Sequence, residues 1–261
     1  MTRGELTTSH SARASALLGR LTGRAALVTG AARGIGAEIA RAFAAEGAAV
    51  AVLDVLGDEV SAVASQVDGV AVVADLRDPA STRAGVAEAV AALGGLDILV
   101  NNAGVLRFAS LLDITVEDWD LTFDVNVRSM LFTMQAAVPA MIQRGGGRIV
   151  NMASMGGKLG AAGQAHYCAS KAAVISLTQC AATELGSHGI TVNCICPGFV
   201  LTEMGAATRT QAMIDEWTAR SPLGRLAEPG DVARMALFLA SDEASYCTGQ
   251  AMNVTGGMVM H

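Results

Sequence analysis

Ala25-Ala26-Leu27-Val28-Thr29-Gly30-Ala31-Ala32-Arg33-Gly34-Ile35-Gly36 runs from an apolar segment through a glycine-rich turn into a helical pattern at 35–46. Residues 25–28 are apolar without polar alternation, the pattern of a strand covered on both faces by helices. Three glycines follow at G-x-x-x-G-x-G spacing. Glycine lets backbone come close to a pyrophosphate, and the helix N-terminus behind it offers free N–H groups and positive potential. The spacing differs from the G-x-G-x-x-G form. Any tight strand-to-helix turn also uses glycine, so the turn alone leaves a plain structural reading open.

Outward from this turn the same alternation continues. Further strands are predicted at 48–53, 70–74, 96–101, 148–152, 191–195 and 250–254, with helices at 79–93, 117–143, 165–186 and 229–240. Strand–helix alternation of this length implies an α/β fold, a single-domain, Rossmann-like doubly wound parallel sheet of about seven strands with helices on both faces. The domain is expected to span 21–261. Residues 1–20, rich in Ser, Thr, Arg and Ala, read as a flexible N-terminal extension. The Met-containing stretch at about 199–220 interrupts the rhythm after a late strand, where a substrate lid would sit over the carboxyl ends of the strands.

Composition narrows the function classes. With 52% hydrophobic and 16% charged residues, the chain is too apolar for general disorder. No apolar run approaches the roughly 18 residues of a membrane span, so no membrane partner is expected. The net charge of −6 and the lack of a Lys/Arg-rich run argue against nucleic acid. Five cysteines, an odd number without a C-x-x-C pair, and four scattered histidines argue against a metal site. They point to thiols in a reducing cytoplasmic compartment.

Four side chains carry candidate chemistry. Tyr167 and Lys171, four apart in a helical segment, share one face. An ammonium beside a phenol stabilises the phenolate, lowering its pKa from the ordinary value of about 10 toward a range useful to a general acid or base. Ser154 follows the 148–152 strand, where its hydroxyl is expected in the carboxyl-end crevice, able to hold a substrate oxygen together with Tyr167. Asn126 interrupts a long helical pattern in which Asn is unfavourable; it reads as the holder of a water leading to Lys171, or as an exposed helix residue. Asp54 ends the second strand, 18 residues after Gly36. A carboxylate there accepts from both adenosine ribose hydroxyls and repels a 2′-phosphate, favouring NAD. Arg33 is the opposing signal, a cation able to pair with that phosphate.

In chain order, Thr29-Gly30-x-x-x-Gly34-x-Gly36, Asp75-Leu76, Asn101-Asn102-Ala103-Gly104, Asn126, Ser154, Tyr167-x-x-x-Lys171 and Pro197-Gly198-x-x-x-Thr202 together resemble the short-chain dehydrogenases/reductases, from about residue 20 to 261. The resemblance implies that Tyr167 is the general acid/base, Lys171 its modulator and a ribose ligand, Ser154 the substrate-oxygen orienter and Asn126 the holder of a relay water. It implies that Gly30, Arg33, Gly34, Ile35 and Gly36 surround the cofactor phosphates. Asp54 would bind the adenosine ribose and Asp75-Leu76 the adenine edge. Asn102 and Gly104 would flank a ribose, and Pro197, Gly198, Val200 and Thr202 the nicotinamide. The substrate would meet Ser154, Met155, Gln164, Tyr167, Phe199 and Met204. His166 reads as an exposed helix residue or a pH-sensitive substrate contact, and Cys168 as a small buried hydrophobe.

The tail motifs Leu223-Gly224-Arg225-Leu226, Thr248-Gly249-Gln250 and Gly256-Gly257 resemble the branch holding polyol and diol dehydrogenases, and also 3-oxoacyl-thioester reductases. Met155 departs from the polar residue that several polyol and diol enzymes carry after the serine, which favours a less polar secondary alcohol or ketone. The implied activity is NAD-dependent hydride transfer on a secondary alcohol or ketone. The alternatives are an NADPH-dependent 3-oxoacyl-thioester reductase and a non-catalytic dinucleotide-binding protein. The family is usually tetrameric, so a homotetramer is expected.

Overall fold

The 25–29 run becomes the interior strand β1 (Ala25–Thr29) in the computed structural model, which describes residues 19–203 and 210–261. Behind it follow α1 (Gly34–Ala45), β2 (Ala49–Asp54), α2 (Gly57–Gln66), β3 (Val70–Val73), α3 (Pro79–Leu93) and β4 (Ile98–Asn101). The second half holds α4 (Val116–Phe123), α5 (Ser129–Gln143), β5 (Gly147–Met152), α6 (Ala165–Leu185), β6 (Ile190–Pro197), α7 (Gln211–Arg220), α8 (Pro229–Ala240) and β7 (Ala251–Val254). The seven strands form one parallel sheet in the order β3-β2-β1-β4-β5-β6-β7.

Strand residues are apolar at both parities because each parity serves a different core. Ala26, Val28, Val50, Val52, Ile98 and Val100 pack with Phe43 of α1 and with Val232 and Leu239 of α8. Their neighbours Leu27, Leu53, Val72, Leu99 and Ile149 face the opposite side, against Val86 of α3 and Met134 and Met141 of α5. Burying each large aliphatic side chain contributes about 1.5–3 kcal/mol.

Helix ends follow local chemistry where the signals are strong. Asp78 caps α3 by accepting from the Ala80 and Ser81 N–H groups, Pro79 occupies its first turn, and Gly94 closes it at φ 70°. The predicted 79–93 helix therefore has the observed limits. The helix α2 was not predicted; it is ten residues long and has no side-chain cap. The predicted helix at 117–143 is divided. A π-helical turn, Asp124–Arg128, separates α4 from α5, and Asn126 lies within it, fully buried.

The order in which strands are added to the sheet reverses between β1 and β4, which opens a crevice at their carboxyl ends. Gly30 leaves β1 into this crevice and Asn102–Gly104 leave β4 beside it. Among the described residues, no helix is long and apolar enough to cross a membrane. The predicted N-terminal extension falls almost wholly outside the described residues.

Candidate active site

A cavity of about 1320 Å³ occupies the crevice and runs from Asp54 and Asp75 at one end to Ser154, Tyr167, Phe199 and Trp217 at the other. At the first end, Gly30 holds φ +63° and a Cβ there would stand 2.6 Å from Ala103 Cα, so only glycine fits. Gly34 and Ile35 line the cavity at the start of α1. Arg33 supplies no side-chain cap, so the first-turn N–H groups, which a helix leaves unbonded, are available to an anion. Gly36 has a different place. It is buried away from the cavity, and an added Cβ would lie 2.2 Å from the Gly30 carbonyl oxygen. Its part is close packing of α1 on the turn.

Asp54 is held by its own loop: Oδ2 accepts from Ala32 N at 3.0 Å, and Oδ1 from Val55 N at 2.8 Å and Leu56 N at 3.2 Å. A carboxylate has about four acceptor positions, which leaves room on Oδ2 rather than equally on both oxygens. Asp75 pairs with Arg77, whose hydrogen bonds hold the carboxyl below its ordinary value. Leu76 lies beside it in the cavity wall. Arg33 is exposed at the rim and has no ion-pair partner among the described residues. The Asn102 side chain is committed to the turn, donating to the carbonyls of Thr29 (3.0 Å) and Gly30 (2.9 Å). Pro197, Gly198, Val200 and Thr202 form the wall at the end of β6.

At the second end, Lys171 is 3% exposed and donates from Nζ to the Met152 carbonyl at 2.8 Å. Nζ lies 5.7 Å from the Tyr167 ring centroid. Ser154 Oγ accepts from Gly156 N at 3.0 Å, and Gly156 lies between it and Tyr167: a Cβ there would stand 3.4 Å from Ser154 Oγ and 3.5 Å from Tyr167 Cε1. Burial raises the Tyr167 phenol above its ordinary value, and the Ser154 hydroxyl opposes this. Burial likewise pushes Lys171 down to about 8. The direction for Tyr167 is therefore opposite to the expected lowering, because desolvation outweighs the opposing Ser154 hydroxyl.

Asn126 is neither exposed nor free. Its Oδ1 accepts from Val105 N (2.8 Å), while Nδ2 donates to Val105 O (3.0 Å) and Ser170 Oγ (3.0 Å). Gly104 is the gap beside it: a Cβ there would stand 3.2 Å from Asn126 Oδ1 and 3.5 Å from Lys171 Nζ. His166 is also corrected. It is fully buried, and neither ring nitrogen has a hydrogen-bond partner. Cys168 is half-buried rather than buried.

Met155, Gln164 and Phe199 line the substrate end, as do Leu159 and Met213, while Met204 lies outside the described residues. The Phe199 and Trp217 rings meet at 5.5 Å between centroids, and Arg220 lies 4.7 Å above Trp217. Sequence reading missed Arg77, Leu121, Val125, Arg220 and Met258, which also line the cavity. Met258 directly follows Gly256-Gly257, whose positive φ angles of 63° and 92° make the turn after β7. Leu121 and Val125 carry no local signal. Among the described residues, no cluster of side chains could hold a metal ion.

The chain is similar to known proteins along nearly its whole length. A family model described as enoyl-(acyl carrier protein) reductase matches residues 30–259. The oxidoreductase UcpA of Salmonella typhimurium is 43% identical over 256 residues, covering 93% of this chain and 97% of UcpA. The 3-oxoacyl-[acyl-carrier-protein] reductase FabG of Staphylococcus aureus is 40% identical over 245 residues, covering 91% and 98%. A crystal structure of a short-chain type dehydrogenase/reductase from Mycobacterium marinum has a TM-score of 0.87 and 37% identity, covering 92% of this chain and 97% of that one. The glycine turn, the uncapped start of α1 and the long cavity suit a dinucleotide, and with these relatives they make the chain an oxidoreductase of the short-chain dehydrogenase/reductase family, whose cofactor is a nicotinamide dinucleotide.

Proposed function

We propose that this protein is an NAD-dependent dehydrogenase and ketone reductase acting on a secondary alcohol or the corresponding ketone. The observation that carries the reading is the grouping of Tyr167, Ser154 and Lys171 at one end of a cavity whose other end presents Asp54. The bound nicotinamide accepts or supplies the hydride. Ser154 holds the substrate oxygen and Tyr167 exchanges its proton. Lys171, anchored on Met152 O, provides positive charge beneath the phenol when protonated, which favours the phenolate at the moment of proton transfer. The Asn126 side chain is occupied, so its part is to hold Val105 and Ser170 in place.

Asp54 supports NAD, because its fixed carboxylate repels a 2′-phosphate. Met155, Leu159, Phe199, Met213 and Trp217 support a substrate with an apolar flank. Exposed apolar side chains on α4 and α5, among them Trp119, Leu131 and Ile142, support a homotetramer. The odd cysteine count supports a cytoplasmic setting.

A second reading, NADPH-dependent reduction of 3-oxoacyl thioesters, is favoured by the rim position of Arg33 and by the FabG relative. The test is absorbance at 340 nm with NAD and NADP against polyols, diols, simple secondary alcohols and cyclic alcohols, then ketones and 3-oxoacyl thioesters in reverse. Preferred turnover of apolar secondary alcohols with NAD supports the first reading. Turnover confined to NADPH and an oxoacyl thioester transfers the conclusion to the second. Binding of a dinucleotide without turnover of any substrate would leave a non-catalytic binding protein.

A further inference from the structure

Ser154 follows β5 in an extended conformation and opens a single 3-10 turn, Met155–Gly157. The turn is closed on the serine itself. Ser154 Oγ accepts from Gly156 N at 3.0 Å, and the Ser154 carbonyl accepts from Gly157 N at 2.9 Å. The Met155 carbonyl then accepts from Lys158 N and Leu159 N, both at 2.9 Å. A turn bonded in this way shifts as a unit, and Ser154 shifts with it.

Two contacts decide where that unit lies. The first is with α6. A Cβ on Gly157 would stand 2.7 Å from both the carbonyl carbon and the carbonyl oxygen of Lys171, and 3.0 Å from Ala172 N. All three atoms are helix backbone, which cannot rotate aside. Gly157 does not have a positive φ, so close approach, not backbone conformation, requires glycine there. Gly156 is different, since no atom lies nearer than 3.3 Å to its added Cβ. The turn therefore rests on α6 at Lys171, the residue whose Nζ donates to the Met152 carbonyl just before Ser154.

The second contact is with the sheet edge. Lys158 Nζ donates to the Ala251 carbonyl at 2.9 Å. In β7 the Gln250 carbonyl accepts from Cys194 N at 2.8 Å and the Val254 carbonyl from Gly198 N at 2.9 Å. Alternate carbonyls thus serve the pairing with β6, which leaves that of Ala251 for Lys158.

We infer that Gly157 is a positioning residue for the proposed reaction: its missing side chain lets the turn carrying Ser154 seat on the α6 backbone at Lys171, and Lys158, bonded to β7, holds the turn on that seat. The inference rests on the catalytic reading of Ser154, Tyr167 and Lys171 given above. Carbon atoms in contact stand about 3.5–4.0 Å apart, so a Cβ 2.7 Å from the Lys171 carbonyl carbon drives the turn back by roughly 1 Å. A misplacement of about 1 Å costs up to about 10²-fold in rate.

The test compares Gly157→Ala, Lys158→Met and Lys158→Arg with the parent in the full-length protein. Gly186→Ala is the control, because an added Cβ there meets nothing within 4 Å. NADH titrated by fluorescence counts folded sites, so kcat for alcohol oxidation is expressed per site. In Gly157→Ala, kcat per site falls about 10–100-fold, while the KM for NAD stays within about twofold, because the phosphate turn is untouched. Its pH profile moves to higher pH, as the Ser154 hydroxyl that opposes the rise of the Tyr167 phenol is withdrawn. Lys158→Met loses about tenfold in kcat, the effect of one hydrogen bond, and Lys158→Arg recovers most of it. Gly186→Ala keeps the parent kcat. A parent-like kcat and pH profile in Gly157→Ala overturn the inference, as does an equal loss in Gly186→Ala. If Gly157→Ala does not fold, the Lys158 pair decides, and equal behaviour of Lys158→Met and Lys158→Arg overturns it. If the parent oxidises no alcohol, the proposed function fails. Amide hydrogen exchange at Gly156 then decides the seat: a rise of about tenfold in Gly157→Ala supports it, and unchanged exchange overturns it.

Discussion

Lys171 Nζ donates to the Met152 carbonyl at 2.8 Å, so the buried ammonium is tied to the end of the strand that delivers Ser154 two residues later. One bond thus fixes the relative height of α6 and β5, and with it the approach of Tyr167 to Ser154. The same burial gives Lys171 a measurable signature.

The ammonium is pushed from the ordinary 10.5 down to about 8 by burial. Between these values the unfolded chain binds more protons than the folded one, so stability rises with pH from about 8 to 10.5. The contribution is fully present above the unfolded value and is lost as pH falls through about 8. The drop corresponds to roughly 3 kcal/mol in order of magnitude. Lys171→Met is expected to remove this rise while abolishing turnover. Denaturant melts at pH 7.5 and 10 in both proteins check it; parallel pH dependence would count against the buried ammonium.

Tyr167→Phe keeps the ring and removes the exchangeable proton. Turnover should fall by about 10²–10⁴, the range of a lost general acid or base, while nicotinamide dinucleotide binding followed by fluorescence stays near the parent value. Substantial retained turnover would remove Tyr167 from the proton-transfer role.

Gly36→Ala places a methyl group 2.2 Å from the Gly30 carbonyl oxygen and 2.5 Å from Asn102 Nδ2. Both belong to the turn, so α1 must shift. A loss of about 1–3 kcal/mol is expected from overpacking, together with weaker dinucleotide binding as the first-turn N–H groups move. A melt and a binding titration on one sample check both, and an unperturbed protein would refute the packing argument.

Asp231 organises the start of α8. It accepts from Glu228 N at 2.9 Å and pairs with Arg225 and Arg234. The Arg225 hydrogen bond is foremost in holding its carboxyl well below the usual range. A depressed carboxyl contributes stability that is intact above the ordinary 3.8 and is lost as pH falls below it. Asp231→Asn should lower stability by about 2 kcal/mol at pH 7 and flatten the acid limb of the stability curve, measured by thermal melts from pH 3 to 7.

Several features of this protein were legible in its sequence because their causes are local. The run 25–29 is apolar at both parities, which only a strand covered on two faces requires, and the structure supplies the two cores. Asp78-Pro79 and Gly94 bound α3 through hydrogen bonds and backbone angles set within a few residues. The i, i+4 spacing of Tyr167 and Lys171 placed them on one face of α6. Other features depend on what arrives from elsewhere in the chain. The π turn around Asn126 is held by Val105 and Ser170, 21 and 44 residues away. The burial of His166 and the exclusion of Gly36 from the cavity reflect neighbours that no local pattern names. The direction of the Tyr167 shift was decided by desolvation, a property of the packed surroundings rather than of a side chain four residues along. Periodicity and turn chemistry act over one or two helical turns, and those the sequence determines by itself. Burial, long-range hydrogen bonds and the bond from Ala153 N to the Ile195 carbonyl exist only once β5 and β6 are side by side, because they depend on distances that the folded sheet alone sets.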